Sequence, residues 1–71
     1  MKTTLKSQLI SVVSIEQAAE VAGRIAAADM EGRESMKVGY LMRLIGARGE
    51  AREKAEAAIR QELDDRGIRA I

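Results

Sequence analysis

Apolar residues recur at helical spacing in three successive stretches of this chain. In the first, Ile15, Ala18, Ala22 and Ile25 repeat every three or four positions, the interval of one helix face. Ser14 followed three residues later by Gln17 is a capping box, in which hydroxyl and amide side chains satisfy each other's backbone N–H groups. The spacing predicts a helix over 14–31. One step around its surface, Ala19, Gly23 and Ala27 form a row of small residues that another backbone can approach closely. Such rows also occur in transmembrane dimers, but Glu20 and Arg24 lie inside the segment and would be costly in lipid. The expected neighbour is a helix in water.

Residues 31–35 interrupt the pattern, with Gly32 placed to end the first helix and Ser35 to cap the next. The second predicted helix, 35–45, carries Val38, Leu41, Met42 and Ile45 on one side with Leu44 flanking, the most apolar face in the chain. Gly39 sits within it, where glycine costs about 1 kcal/mol relative to alanine. That cost is explained if Gly39 marks a close crossing with the small-residue row of the first helix. After Gly46-Ala47-Arg48-Gly49, a third helix is predicted over 50–66, with Ala51, Ala55, Ala58, Ile59 and Leu63 as a narrow apolar stripe. Glu50 with Lys54, Glu56 with Arg60 and Glu62 with Arg66 are acid-before-base pairs four apart, each worth ~0.3 kcal/mol on a solvated face. Arg66-Gly67-Ile68 reads as a Schellman stop, with Ile68 folding back toward Leu63.

Residues 1–13 fit a short helix or ordered arm, with Leu5, Leu9 and Val12 or Val13 on one face and Thr3 or Thr4 as the cap. The β-branched content of 9–13 and a period-2 reading of 5–10 keep a strand as the alternative. Segments 18–24 and 55–60 look faintly alike, but only as alanine-, glutamate- and arginine-rich helices do, so no internal repeat is assigned. The expected architecture is all-α: a single small domain over 1–71, built of three helices with a short N-terminal helix or arm.

Composition alters this picture by thinning its core. Of the 71 residues none is Phe or Trp, Tyr40 is the lone aromatic, and alanine supplies about a third of the apolar residues. Small scaffolds of this kind need a staple. With no Cys and no His, neither a disulfide nor an ordinary zinc site is available. Oligomerisation remains, so completion as a homodimer is expected, through Ala19, Gly23, Ala27, Val38, Leu41, Met42 and Ile45. The net charge of +1 with both signs interspersed does not call for nucleic acid or membrane. Because Lys6, Ser7, Gln8 and Ser11 interrupt 5–13, no signal peptide is expected, and no apolar span reaches membrane length, so a cytoplasmic location is expected.

Candidate chemistry is sparse. General acid–base catalysis near neutrality most often uses His, and Ser7, Ser11, Ser14 and Ser35 have no evident base partner. Glu16 with Glu20, Glu31 with Glu34, and Glu50 with Glu53 each set two carboxylates on a helix face, as helical magnesium-dependent hydrolases do. Interleaved Arg and Lys make a solvated, salt-paired surface the preferred reading of all three, and of Asp64-Asp65. No catalytic, cofactor-binding or metal-binding residue is assigned, and no small-molecule substrate is expected.

The segment Leu44-Ile45-Gly46-Ala47-Arg48-Gly49 resembles the Gly-x-x-Gly loop of KH-type modules, which lets the backbone of single-stranded nucleic acid approach closely. Arg43, Arg48, Arg52 and Lys54 surround it. Against the resemblance, Arg52 stands where an apolar residue belongs, and the flanking strands of such a module are not evident; a glycine-rich turn is the blander reading. A helix-turn-helix alignment on Ala19 and Gly23 puts Asp29 at a position that requires a buried aliphatic. A ribbon-helix-helix reading uses an N-terminal strand with Lys2, Lys6 and Gln8 as reading side chains and Ser35 as cap. Met36 and Met42 with Leu41 offer a plastic surface for a partner, or simply fill the core. The sequence therefore leads to a non-catalytic regulatory or adaptor protein acting through helix-mediated protein–protein interaction. The alternative is a nucleic-acid-binding regulator using Lys2, Lys6, Arg43, Arg48, Arg52 and Lys54.

Overall fold

The computed structural model describes residues 4–71. Helix α1, Leu5–Ile10, starts at Thr4, whose hydroxyl accepts from the Ser7 backbone N–H at 3.2 Å. It buries Leu5 and Leu9, four apart on one face. The N-terminal segment is thus helical, and its strand alternative is corrected; Lys2 and Thr3 lie outside the described residues.

Helix α2, Ile15–Met30, begins with the expected capping box: the Gln17 N–H donates to Ser14 Oγ, and the Ser14 N–H to Gln17 Oε1, both at 3.2 Å. Its buried stripe is Ala18, Val21, Ile25 and Ala28, while Ile15 is 60% exposed. The helix is therefore rotated from its predicted orientation: Ala18 and Ile25 stay on the buried stripe, while Val21 and Ala28 replace Ile15, at the first turn, and Ala22, alanine being nearly indifferent to which face is buried. Ala19, Gly23 and Ala27 face solvent, and a Cβ built on Gly23 or Gly39 would meet nothing within 4 Å. The tight glycine crossing expected between the first two predicted helices is not formed.

Past Met30 the chain turns at Gly32, φ 73°. The Gly32 N–H donates to the Asp29 carbonyl and the Arg33 N–H to the Ala28 carbonyl, each at 3.0 Å, the two bonds of a Schellman motif. Strand β1, Ser35–Met36, follows, and helix α3, Val38–Ile45, starts only after it with Lys37 at its cap. Ser35 is a strand residue rather than the expected N-cap. What overrides its capping tendency is a distant partner: the Arg69 N–H donates to the Glu34 carbonyl at 2.8 Å, and the Ile71 N–H to the Met36 carbonyl at 2.9 Å.

Helix α3 ends at Gly46, φ 64°, and helix α4 spans Glu50–Asp65. The second Schellman motif closes α4 as expected, with the Gly67 N–H on the Asp64 carbonyl at 3.0 Å and the Ile68 N–H on the Leu63 carbonyl at 2.8 Å. Ile68 folds back into the core and is buried. Strand β2, Arg69–Ala70, then pairs in parallel with β1, Ser35 opposite Arg69 and Met36 opposite Ala70.

The order helix, helix, strand therefore occurs twice, as α1-α2-β1 and α3-α4-β2. In each unit a 16-residue helix ends on a Schellman glycine and passes into a strand. A structural repeat is present where the sequence showed none.

One contiguous core gathers side chains from all four helices and Ile68. Leu9, Val21, Ile25, Leu41, Ile45, Ile59 and Leu63 are its largest fully buried members. Val38, Leu41, Met42 and Ile45 lie within it, so the apolar face assigned to a dimer interface is consumed inside the chain. The short N-terminal helix expected from residues 1–13 joins this core as α1, whose Leu5 and Leu9 add apolar area to that of the three longer predicted helices.

Candidate interaction surface

The predicted interface residues separate into two groups: Val38, Leu41, Met42 and Ile45 inside, and Ala19, Gly23 and Ala27 outside. Because Leu41 and Met42 are buried, the methionine surface is reduced to half-buried Met36.

The basic candidates are exposed but dispersed. Lys6 is on α1, Arg43 on α3, Arg48 in the connecting loop, and Arg52 and Lys54 on α4; Lys2 lies outside the described residues. Arg52 stands 3.7 Å from Glu56, which also holds Arg60 at 3.1 Å. Gly46 and Gly49 both take positive φ, 64° and 62°, and a side chain there would meet nothing within 4 Å. With β1 ahead of α3 and β2 after α4, the chain does contain a strand on each side of the helix–Gly-x-x-Gly–helix segment. Two carboxylates stand beside that loop, since Glu50 and Glu53 occupy the first turn of α4, where the helix dipole favours negative charge. With Lys6 and Gln8 on a helix, the paired N-terminal strands of a ribbon-helix-helix reader are not formed.

A more concentrated constellation lies around Tyr40. This residue is on α3 but off its Val38, Leu41, Met42 and Ile45 stripe, and it is 44% exposed. The Arg24 guanidinium of α2 sits 5.4 Å from the Tyr40 ring centroid, within the range of cation–π attraction. Arg24 also donates to Glu20 at 3.1 Å. Its pKa is raised from the ordinary arginine value, first by that hydrogen bond and then by the charge interaction with Tyr40. Beside the pair is a groove of about 290 Å³ lined by Arg24, Ala27, Ala28, Glu31, Arg33, Met36 and Tyr40. A second hollow of about 280 Å³ adjoins it, sharing Arg33, Met36 and Tyr40 and adding Ser35, Lys37 and Ile71. Arg33 donates to Glu31 at 3.0 Å.

Small and apolar side chains thus form part of a surface whose lining carries three cations and one acid. No polar or charged residue is buried among the described residues, and no group of three or more acids there is placed to hold a metal ion. The features suit contact with an apolar and anionic surface. Sequence reasoning missed Tyr40, although its position off the apolar stripe was a readable signal that it faces outward. Arg24 over the ring was not readable, because it depends on how α2 and α3 pack.

Comparison with known protein families, with curated proteins and with solved structures gives no match for this chain. No helix among the described residues is long and apolar enough to cross a membrane.

Proposed function

We propose that this protein is a non-catalytic adaptor that binds a partner protein on the surface between α2 and α3, centred on Tyr40. The observation that carries this reading is the grouping of Tyr40, Met36 and Ile71 with Arg24, Arg33 and Lys37 around two adjoining hollows. Tyrosine and arginine are the residues most often dominant in protein interfaces, since each combines a large contact area with a polar tip. Arg24 and Arg33 are held in exposed ion pairs; such pairs are worth little, so both cations can exchange their present carboxylates for those of a partner at small cost. A regulatory role follows from the same feature, because a chain that binds without reacting acts by occupying its partner.

The test is selection of binders from a random peptide library, followed by amide chemical-shift mapping on the labelled protein. Perturbations gathered at Arg24, Arg33 and Tyr40, and lost in Tyr40→Ala, support the reading. Binders that map elsewhere, or none at all, overturn it.

A second reading is favoured by one observation, the strand–helix–Gly-x-x-Gly–helix–strand order around residues 46–49. Here Gly46 and Gly49 would admit a nucleic-acid backbone, with Arg43, Arg48 and Lys54 neutralising phosphates. The carboxylates of Glu50 and Glu53 beside the loop place it second. Fluorescence anisotropy with single-stranded DNA and RNA at low and raised salt tests it, because phosphate contacts give an affinity that falls steeply with salt.

A further inference from the structure

We infer that the outer edge of β1 accepts an extended, acidic segment of a partner protein as an added strand. This deepens the adaptor reading and rests on it, naming the mode and chemistry of what the Tyr40 surface binds.

Residues along a strand direct their backbone groups alternately to one side and the other. On β1 the Glu34 and Met36 carbonyls and the Val38 N–H are engaged toward β2 and Ile71, at 2.8, 2.9 and 2.9 Å. Ser35 and Lys37 therefore point the other way. By this alternation the Ser35 N–H, the Ser35 carbonyl and the Lys37 N–H face away from β2, on the side where the two-stranded sheet has no further strand among the described residues. Outward-facing groups of this kind on a sheet edge are a template for another strand. The edge is bordered by the two hollows, so a strand laid there finds side-chain space next to Tyr40 and Met36 as well as backbone partners.

Charge selects the occupant. Arg33 and Lys37 flank β1 on its two sides in sequence, and among the described residues Lys37 forms no ion pair, while Arg24 stands across the groove. An incoming strand bearing carboxylates meets these three cations around the two hollows. A second copy of this chain is the obvious competitor, and the same charges oppose it. Symmetric antiparallel pairing on the open edge centres on Ser35, the residue whose N–H and carbonyl both face it. That register sets Arg33 directly opposite Lys37 of the other copy, a destabilising like-charge pair.

The experiment uses the whole chain, isotopically labelled, with a short peptide alternating glutamate and valine. Controls are its lysine-for-glutamate counterpart and a version N-methylated on the amides of one strand edge. Strand addition predicts that the acidic peptide binds at least tenfold more tightly than the basic one. It also predicts that the Ser35 and Lys37 amides shift and exchange more slowly with solvent, and that N-methylation abolishes binding. Lys37→Ala removes only the charge. Lys37→Pro also removes the edge N–H at a residue whose φ of −81° lies close to the proline value, and it should weaken binding a further tenfold. Where Lys37→Pro fails to fold, the N-methylated peptide carries the same test. Peptide binding near Tyr40 that is indifferent to N-methylation and leaves the Ser35 amide unshifted overturns strand addition while the adaptor reading stands. No binding of either peptide, with no binder from the library, overturns both. A dimer by light scattering whose Ser35 amide is protected without peptide overturns the acidic segment in favour of a second copy.

Discussion

Arg66 Nη1 donates to Asp29 Oδ2 at 2.8 Å while its Nε donates to Glu62 Oε2 at 2.6 Å. The side chain thereby ties the end of α4 to the end of α2, where both helices stop on Schellman glycines. The Glu62 hydrogen bond raises the Arg66 pKa above the ordinary arginine value, burial opposes it, and the Asp29 bond adds a smaller rise. A cation whose folded pKa is raised contributes stability fully below its unfolded pKa and loses it only as pH climbs through the folded value. The Arg66 contribution is therefore constant through the neutral range. All three side chains are partly exposed, which limits the pairs to about 1 kcal/mol together. Arg66→Ala should lower unfolding stability by that amount in urea titrations at low salt, and much of the difference should vanish in 1 M salt. A loss unchanged by salt would assign the effect to packing instead.

Gly32 and Gly67 share a φ of 73°, a conformation that costs a residue bearing Cβ about 1 kcal/mol or more. Gly32→Ala and Gly67→Ala should each destabilise by about that amount, although open space surrounds both positions. Chemical denaturation checks this.

At Gly23 the sign reverses. It lies inside α2, exposed, with no atom near an added Cβ, so Gly23→Ala should stabilise by about 0.5–1 kcal/mol through helix propensity. A fall in stability, or in molecular mass by light scattering, would show that the small-residue row is covered in solution.

Leu9 is fully buried on a helix of six residues. Helices this short are not stable alone, so α1 is held by its packing. Leu9→Ala should cost about 2–5 kcal/mol, the range for a truncated core leucine. A cost under ~1 kcal/mol would mean that α1 is peripheral.

What the sequence disclosed divides along local and distant causes. The Ser14–Gln17 box, Gly32, and the Gly67–Ile68 stop were legible because each is set by residues within one or two helical turns. Ser35 was misread for the complementary reason: its hydrogen-bonding company belongs to residues near the other end of the chain, and no nearby residue announces them. The α2 stripe was misread by rotation, since Ala18, Ala19, Ala22, Ala26, Ala27 and Ala28 satisfy several faces equally, Ile25 fits both stripes, and the choice between Ile15 and Val21 is made by what α2 packs against. Of the candidate surface, Tyr40 was within reach and Arg24 was not. Its partner across the groove is decided by helix packing.

The doubled helix–helix–strand order carries a consequence for assembly. The first unit passes to the second through Lys37, between β1 and α3. Straightening that joint would let the front half of one molecule dock on the rear half of another, rebuilding the same ladder and the same apolar interior twice over. Such exchange conserves nearly every contact and forfeits mainly translational freedom. Refolding from denaturant at high concentration should therefore yield a slowly reverting dimer with the monomer's spectrum, distinguishable by size alone.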